Sequence, residues 1–124
     1  MSETLIPIQP SFAQTFAAEW IDSWNTHDLD RILTHYDDEV VLISPVAQKL
    51  TGDSAVRGKA ALRDYFAKGL TAYPDLRFDL IETLFGIETI VLHYRNNVRG
   101  NKTAEVLRLN PSGKITQVWA NYDQ

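Results

Sequence analysis

The strongest constraint in the chain is a change of period about three-fifths of the way along. From Leu76 onward apolar residues alternate with polar ones. Ile90, Leu92 and Tyr94 stand opposite Val91, His93 and Arg95, and Glu105, Leu107 and Leu109 opposite Ala104, Val106 and Arg108. Val118, Ala120 and Tyr122 stand opposite Gln117, Trp119 and Asn121. Period two is the signature of half-buried strands. The first of these runs places Leu76, Phe78, Leu80 and Leu84 together on one face. The turns between the runs, around Gly86, Arg99-Gly100-Asn101 and Asn110-Pro111-Ser112-Gly113, are short and carry hairpin residues. Four strands joined in this way predict an antiparallel meander.

Before that point the period is helical. Phe12, Phe16, Trp20 and Trp24 recur every four residues, flanked by Ala13, Ala17 and Ile21. Ser11 with Gln14 has the capping-box spacing that would start this helix. Asp28 is an N-cap for a second helix whose apolar positions are Leu29, Ile32, Leu33 and Tyr36. Asp37-Asp38-Glu39 reads as a solvated turn leading into the strand VVLIS, which Pro45 ends. Val46 to Arg57 reads as a polar loop. Gly58 opens a third helix, buried through Leu62, Tyr65, Phe66 and Leu70, with Arg57, Lys59, Arg63 and Lys68 on its exposed side; Tyr73-Pro74 stops it. Residues 1–10, with Pro7 and Pro10, predict an extended arm whose Leu5, Ile6 and Ile8 lie on the domain or on a partner subunit. Residues 11–124 then form a single domain of the α+β class.

Composition narrows the partners. A net charge of −4 without a basic stripe argues against nucleic acid and anionic membrane surfaces. The chain has no cysteine, which removes disulfides and thiolate metal sites. No apolar run approaches the ~20 residues of a membrane span, and the first ten residues lack the basic-then-apolar order of a signal peptide. Cytoplasm is the expected compartment. His27, His35 and His93 have no metal-ligand spacing, so no metal is expected, and no phosphate-binding glycine loop calls for a cofactor.

The strings WNTHDLDRILTHYDDEVVLISPVA, VRGKAALRDYFAKGL and AEVLRLNPSGKITQVWANYD resemble the SnoaL-like branch of the nuclear transport factor 2-like superfamily. The resemblance covers nearly all of residues 11–124. It implies a cone: a strongly curved antiparallel sheet wrapped around three N-terminal helices, with an apolar internal pocket. Its members include ketosteroid isomerase, scytalone dehydratase, limonene epoxide hydrolase and polyketide cyclases, beside non-catalytic binders, so function must be argued from the pocket. Against ketosteroid isomerase, the pocket tyrosine of the first helix falls on Trp20 and the catalytic aspartate before Pro-Val falls on Ser44. The protonated aspartate of the oxyanion hole falls on Glu105, and the tyrosine ending the second helix is kept as Tyr36. Indole donates weakly and serine is no carboxylate base, so isomerisation by those same residues is not expected.

That leaves Glu105 as the candidate acid–base group. It shares a face with Leu107 and Leu109 that looks inward by the resemblance, and an apolar setting raises a carboxyl pKa. The alternative is a structural carboxyl that hydrogen-bonds Tyr36 or a strand neighbour. Ser44 lacks a GxSxG elbow and reads as a ligand-contacting or strand-ending hydroxyl rather than a nucleophile. Trp20, Tyr36, Ser44, Tyr65, Tyr94 and Tyr122 are the expected pocket wall. Trp119, beside Val91, Val106 and Ala104 on the outer sheet face with His93, predicts a homodimer through that face, where such relatives pair. The functional expectation is a cofactor-independent lyase, isomerase or cyclase acting on a small apolar carbonyl compound. The alternative is a non-catalytic binder of a small apolar ligand.

Overall fold

A computed structural model describes residues 5–123. Helix α1 (Pro10–Asn25) is followed by α2 (Leu29–Leu33), β1 (Tyr36–Ile43), α3 (Pro45–Thr51), β2 (Ala55–Arg57) and α4 (Lys59–Ala72). Four long strands complete the chain: β3 (Phe78–Phe85), β4 (Thr89–Asn96), β5 (Lys102–Leu109) and β6 (Ile115–Tyr122). With β1 and β2 they form one six-stranded sheet in the order β2-β1-β6-β5-β4-β3. The β3–β6 meander is antiparallel as expected. The sheet as a whole is mixed, because β1 runs parallel to β6, and it does not close on itself. Helix α1 lies against β3, and α4 against β1 and β2. The core fills the space between these helices and the inner sheet face.

The alternation from Ile90 to Tyr122 is realised closely. Ile90, Leu92 and Tyr94 are buried on β4, and Thr103, Glu105, Leu107 and Leu109 on β5. On β6 a register shift lets Ile115 and Val118, three positions apart, both turn inward, followed by Ala120. The first run departs from the expectation. A bulge between Leu80 and Glu82 inserts a residue, so Leu84 pairs with Val91 of the outer face and does not share a face with Phe78. One extra residue reverses every side chain beyond it.

Other corrections concern the helical half. Helix α1 starts at Pro10, with Gln9 as its N-cap and no side-chain cap bond; Ser11 is already inside the first turn. Proline at the first helical position needs no amide partner, which makes a capping box unnecessary. Helix α2 ends at Leu33, so Tyr36 begins β1 rather than ending a helix. Asp37, Asp38 and Glu39 are not a turn but the irregular part of β1, where the pairing with β6 shifts register between Tyr36 and Val41. The expected Asp28 cap is present: its carboxylate accepts from the Arg31 amide at 3.2 Å.

The supposed loop from Val46 to Arg57 holds a helix and a strand. Ser44 caps α3 by accepting from the Val46 amide, Pro45 takes the first helical position, and Gly52 ends the helix with φ +83°. The described residues thus hold four helices, not three. The extended arm, expected over residues 1–10, is described from Leu5. Its backbone bonds the β3–β4 turn, Ile8 N–H to Gly86 O at 2.9 Å and Glu88 N–H to Ile6 O at 2.9 Å. Ile8 packs against the core, while Leu5 and Ile6 stay exposed. Met1 to Thr4 lie outside the described residues. No helix among the described residues is long and apolar enough to cross a membrane.

Candidate functional site

The inner sheet face and α4 do not fill the space between them. A cavity of about 840 Å³ is left, walled by β1, β2, α3, α4, the end of α1, the start of β3 and the inner faces of β4–β6. Trp24, Phe66 and Phe78 form its apolar inner wall, with Trp24 and Phe66 edge to face at 4.7 Å between ring centroids. Phe78 in turn packs on Tyr94 at 4.3 Å. The exposed lining residues of the cavity are mixed: Asp53, Arg57, Asp64 and Lys68 are charged, while Leu50 and Tyr73 are apolar or aromatic.

Among the described residues Glu105 is the only buried carboxyl that borders the cavity, at 7% exposure. Its Oε2 accepts a hydrogen bond of 2.6 Å from the Tyr94 hydroxyl. Lys, Arg and His partners are absent from its ion pairs among the described residues. Burial therefore dominates and pushes the carboxyl up to about 7, against the smaller downward pull of the Tyr94 bond. The same burial, with the Glu105 charge behind it, raises Tyr94 well above its ordinary value and Tyr122 to about 12. Tyr65 is raised by the same two causes. Near neutral pH the site therefore contains one group that both holds and releases a proton, and tyrosines that stay protonated and donate.

The residues expected on the pocket wall fall into two sets. Ser44, Tyr65, Tyr94, Tyr122 and Glu105 all border the cavity. Trp20 and Tyr36 do not. They are packed behind it, fully buried, with Trp20 Nε1 donating to the Tyr36 hydroxyl at 3.1 Å. The helical spacing of Trp20 places it on the apolar side of α1, but that side rests on β3 and β4, where Trp20 meets Phe78 and Tyr94. Trp24, one turn further on, reaches the cavity in its stead. The structural alternative for Glu105 named a bond to Tyr36 or a strand neighbour; the partner is Tyr94, on the neighbouring strand β4.

Sequence reasoning missed part of this lining, because it read residues 46–57 as loop. The signals were present: Ser44-Pro45 as cap and first turn, and Gly52 as the left-handed stop. Arg57 and Lys68, read as exposed, are exposed but also border the cavity. Arg63 pairs with Asp30, and Lys59 with Asp38 at 3.6 Å. The three histidines each meet a protein partner. His27 Nε2 bonds Leu76 O at 2.7 Å, His35 Nδ1 bonds Ile32 O at 3.1 Å, and His93 Nδ1 bonds Glu82 at 3.2 Å. On the outer face Trp119 lies across from Val106 and Ile43 and is 37% exposed, with His93 half-buried two strands away.

The sequence matches the model of the SnoaL-like domain over residues 17–120. Among solved structures, a SnoaL-like protein of unknown function from Burkholderia thailandensis is 38% identical, with a TM-score of 0.92 over 95% of this chain and 99% of that one. A proposed isomerase of the SnoaL-like family from Agrobacterium tumefaciens is 18% identical, with a TM-score of 0.71 over 90% of this chain and 97% of that one. TerC, co-crystallised with polyporic acid, is 17% identical, with a TM-score of 0.74 over 90% and 92% of the two chains. The last two likenesses are of fold alone. No curated protein matches the sequence.

The raised Glu105 has a thermodynamic consequence. The folded state holds the proton up to about 7, whereas an exposed glutamate releases it near 4.5. Between those values the folded state binds more protons, so this group's contribution to stability is full below 4.5 and is lost as pH rises through 7. The gap is worth roughly 3 kcal/mol. Glu105→Gln keeps the shape and removes the titration. In urea denaturation it is expected to match the wild type at pH 4 and to exceed it at pH 8 by an amount of that order.

Proposed function

We propose that this chain, which belongs to the SnoaL-like family, holds a small apolar carbonyl compound in its cavity and uses Glu105 as the acid–base group of an isomerisation, cyclisation or elimination. The observation that carries the reading is the buried Glu105 carboxyl, pushed up to about 7 and bonded only to Tyr94. A base works best when its pKa lies near the pH of operation. As a carboxylate, Glu105 would take a proton from the carbon beside the carbonyl, and the C–H electron pair would move to the carbonyl oxygen as an enolate. The same carboxylic acid then returns the proton at another carbon (isomerisation); or the enolate carbon bonds a second carbonyl carbon of the same molecule, whose oxygen takes that pair and the proton (cyclisation); or the pair expels a leaving group that takes the proton (elimination). The sequence conserves atoms and electrons within the substrate and Glu105, and calls for no cofactor.

Two observations favour the second reading, a non-catalytic binder. Ser44 accepts from the backbone as the cap of α3, which leaves its hydroxyl a donor and not a base, and the Tyr36 hydroxyl accepts from Trp20 behind the cavity, out of a ligand's reach. One acid–base group remains rather than two.

Thermal-shift screening of apolar carbonyl and epoxide compounds, followed by turnover assays on the hits, separates the readings. In the enzyme reading kcat/KM rises with pH through about 7 as Glu105 ionises. Glu105→Gln then lowers kcat by about 10²-fold or more while still binding. Turnover that survives the substitution removes Glu105 from the mechanism, and binding without turnover in either protein leaves the binder.

The outer sheet face belongs to the same proposal. Trp119 at 37% exposure, with the half-buried Val91, Val106 and Ala104 around it and His93 on the same face, would be covered by a second copy. Light scattering at micromolar concentration is expected to give a dimer, and Trp119→Glu a monomer. A wild-type monomer would contradict the assignment.

A further inference from the structure

Glu105 accounts for one polar feature of the cavity wall; a second lies beside it. Ser44 just after β1, Tyr65 on α4 and Tyr122 at the end of β6 put three hydroxyl-bearing side chains from three elements on the cavity wall. Ser44 Oγ stands 3.5 Å from the Tyr122 hydroxyl, at the limit of a hydrogen bond. Ser44 also lies near enough to Tyr65 to oppose the upward effect of burial on that phenol. One lone pair of Ser44 is already committed to the Val46 amide at 3.1 Å.

The cluster is therefore rich in donors and short of acceptors. It has three O–H protons, and no carboxylate or carbonyl of the described residues bonds the two phenols. The buried carboxyl of the same wall, Glu105, is held by Tyr94 instead. Three hydroxyls in a row satisfy at most two of their own protons, and a donor turned into a cavity is satisfied by an acceptor in the occupant. The register fixes where that acceptor would sit. Glu105 pairs with Ala120 and Thr103 with Tyr122, so Glu105 and Tyr122 are diagonal neighbours on the same inner face. Diagonal neighbours lie about 7–8 Å apart at the backbone, within reach of two long side chains and a small group between them.

We propose that the Ser44, Tyr65 and Tyr122 hydroxyls form a receiving site for one oxygen of the ligand, placed so that the carbon next to that oxygen's carbonyl faces Glu105. The ligand class is then a flat apolar compound carrying a carbonyl at one end. The two phenols are binding residues that donate to the oxygen, and in turnover the charge that develops there falls on them. Ser44 positions them from the α3 cap. The chemical part of this assignment rests on the proposed function; the oxygen site itself does not, because it is read by binding alone.

A matched pair of probes tests it. 2-Acetylnaphthalene and 2-isopropenylnaphthalene have nearly the same shape and differ in an acceptor oxygen against a methylene group. Isothermal titration calorimetry on the full chain is expected to show the ketone preferred by about threefold to tenfold, the worth of one hydrogen bond. Tyr65→Phe and Tyr122→Phe, checked for folding by circular dichroism, should each reduce that preference while leaving the hydrocarbon's affinity in place. Glu105→Gln should retain it. Equal affinity for the two probes in the wild type overturns the receiving site, as does a preference unchanged in both phenylalanine variants, or failure of both probes to bind. Loss of preference in Glu105→Gln alone moves the oxygen contact to Glu105 and overturns it equally. A ketone preference that depends on the tyrosines, in a protein with no turnover, upholds the site and removes only the enzyme reading.

Discussion

The indole of Trp20 ties the two halves of the molecule together. It is wholly buried, its Nε1 donates to the Tyr36 hydroxyl at 3.1 Å, and its ring lies within 6.0 Å of Trp24, Phe78 and Tyr94. One side chain on α1 thereby contacts the start of β1, the start of β3 and the middle of β4. A buried indole and a buried phenol each carry a polar atom that is costly to leave alone, and here each satisfies the other. This pair closes the deep end of the space between helices and sheet. What stays open is the other end, under α3, β2 and α4, and the cavity is there because Trp20 has taken the space behind it.

The position of Glu105 follows from that arrangement. Strand β5 lies near the middle of the sheet, so its inward side chains meet the filled core at Leu107 and Leu109 and the cavity at Glu105. A carboxyl there cannot reach solvent as it would on an edge strand. The aromatic wall of Trp24, Phe66 and Phe78 supplies no countercharge, and a single phenol, Tyr94, supplies the only hydrogen bond. Desolvation consequently outweighs the bond, and the group is poised near neutrality rather than ionised throughout the physiological range. The neighbouring hydroxyls of Ser44, Tyr65 and Tyr122 are the complementary half: groups that hold their protons where Glu105 exchanges its own.

The meander was legible because period two needs no long-range information: the inward residues of β4 and β5 are those the alternation names, Glu105 among them. The departures arise where a local feature competes with the period. The bulge at Ile81 leaves no mark in composition, yet it turns Leu84 to the outer face. Tyr36 fits a helical spacing with Leu29, Ile32 and Leu33, but its aromatic ring is better buried as the first residue of a strand that pairs with β6. Residues 46–57 read as loop because α3 is only seven residues long and β2 three, too short for periodicity to register. Which aromatic residues line the cavity and which lie behind it was beyond the sequence. Trp20 and Trp24 share one helix face, and only the packing of β3 against α1 separates them.

The chemistry of the cavity turns on the ionisation of Glu105, which is measurable without any ligand. The side-chain carboxyl carbon of Glu105, labelled with ¹³C and assigned by its loss in Glu105→Gln, reports protonation through its NMR shift. Titration from acid to alkaline pH is predicted to give a midpoint near 7. A midpoint at the ordinary glutamate value of 4.5 would contradict the buried, poised carboxyl on which the rest is built.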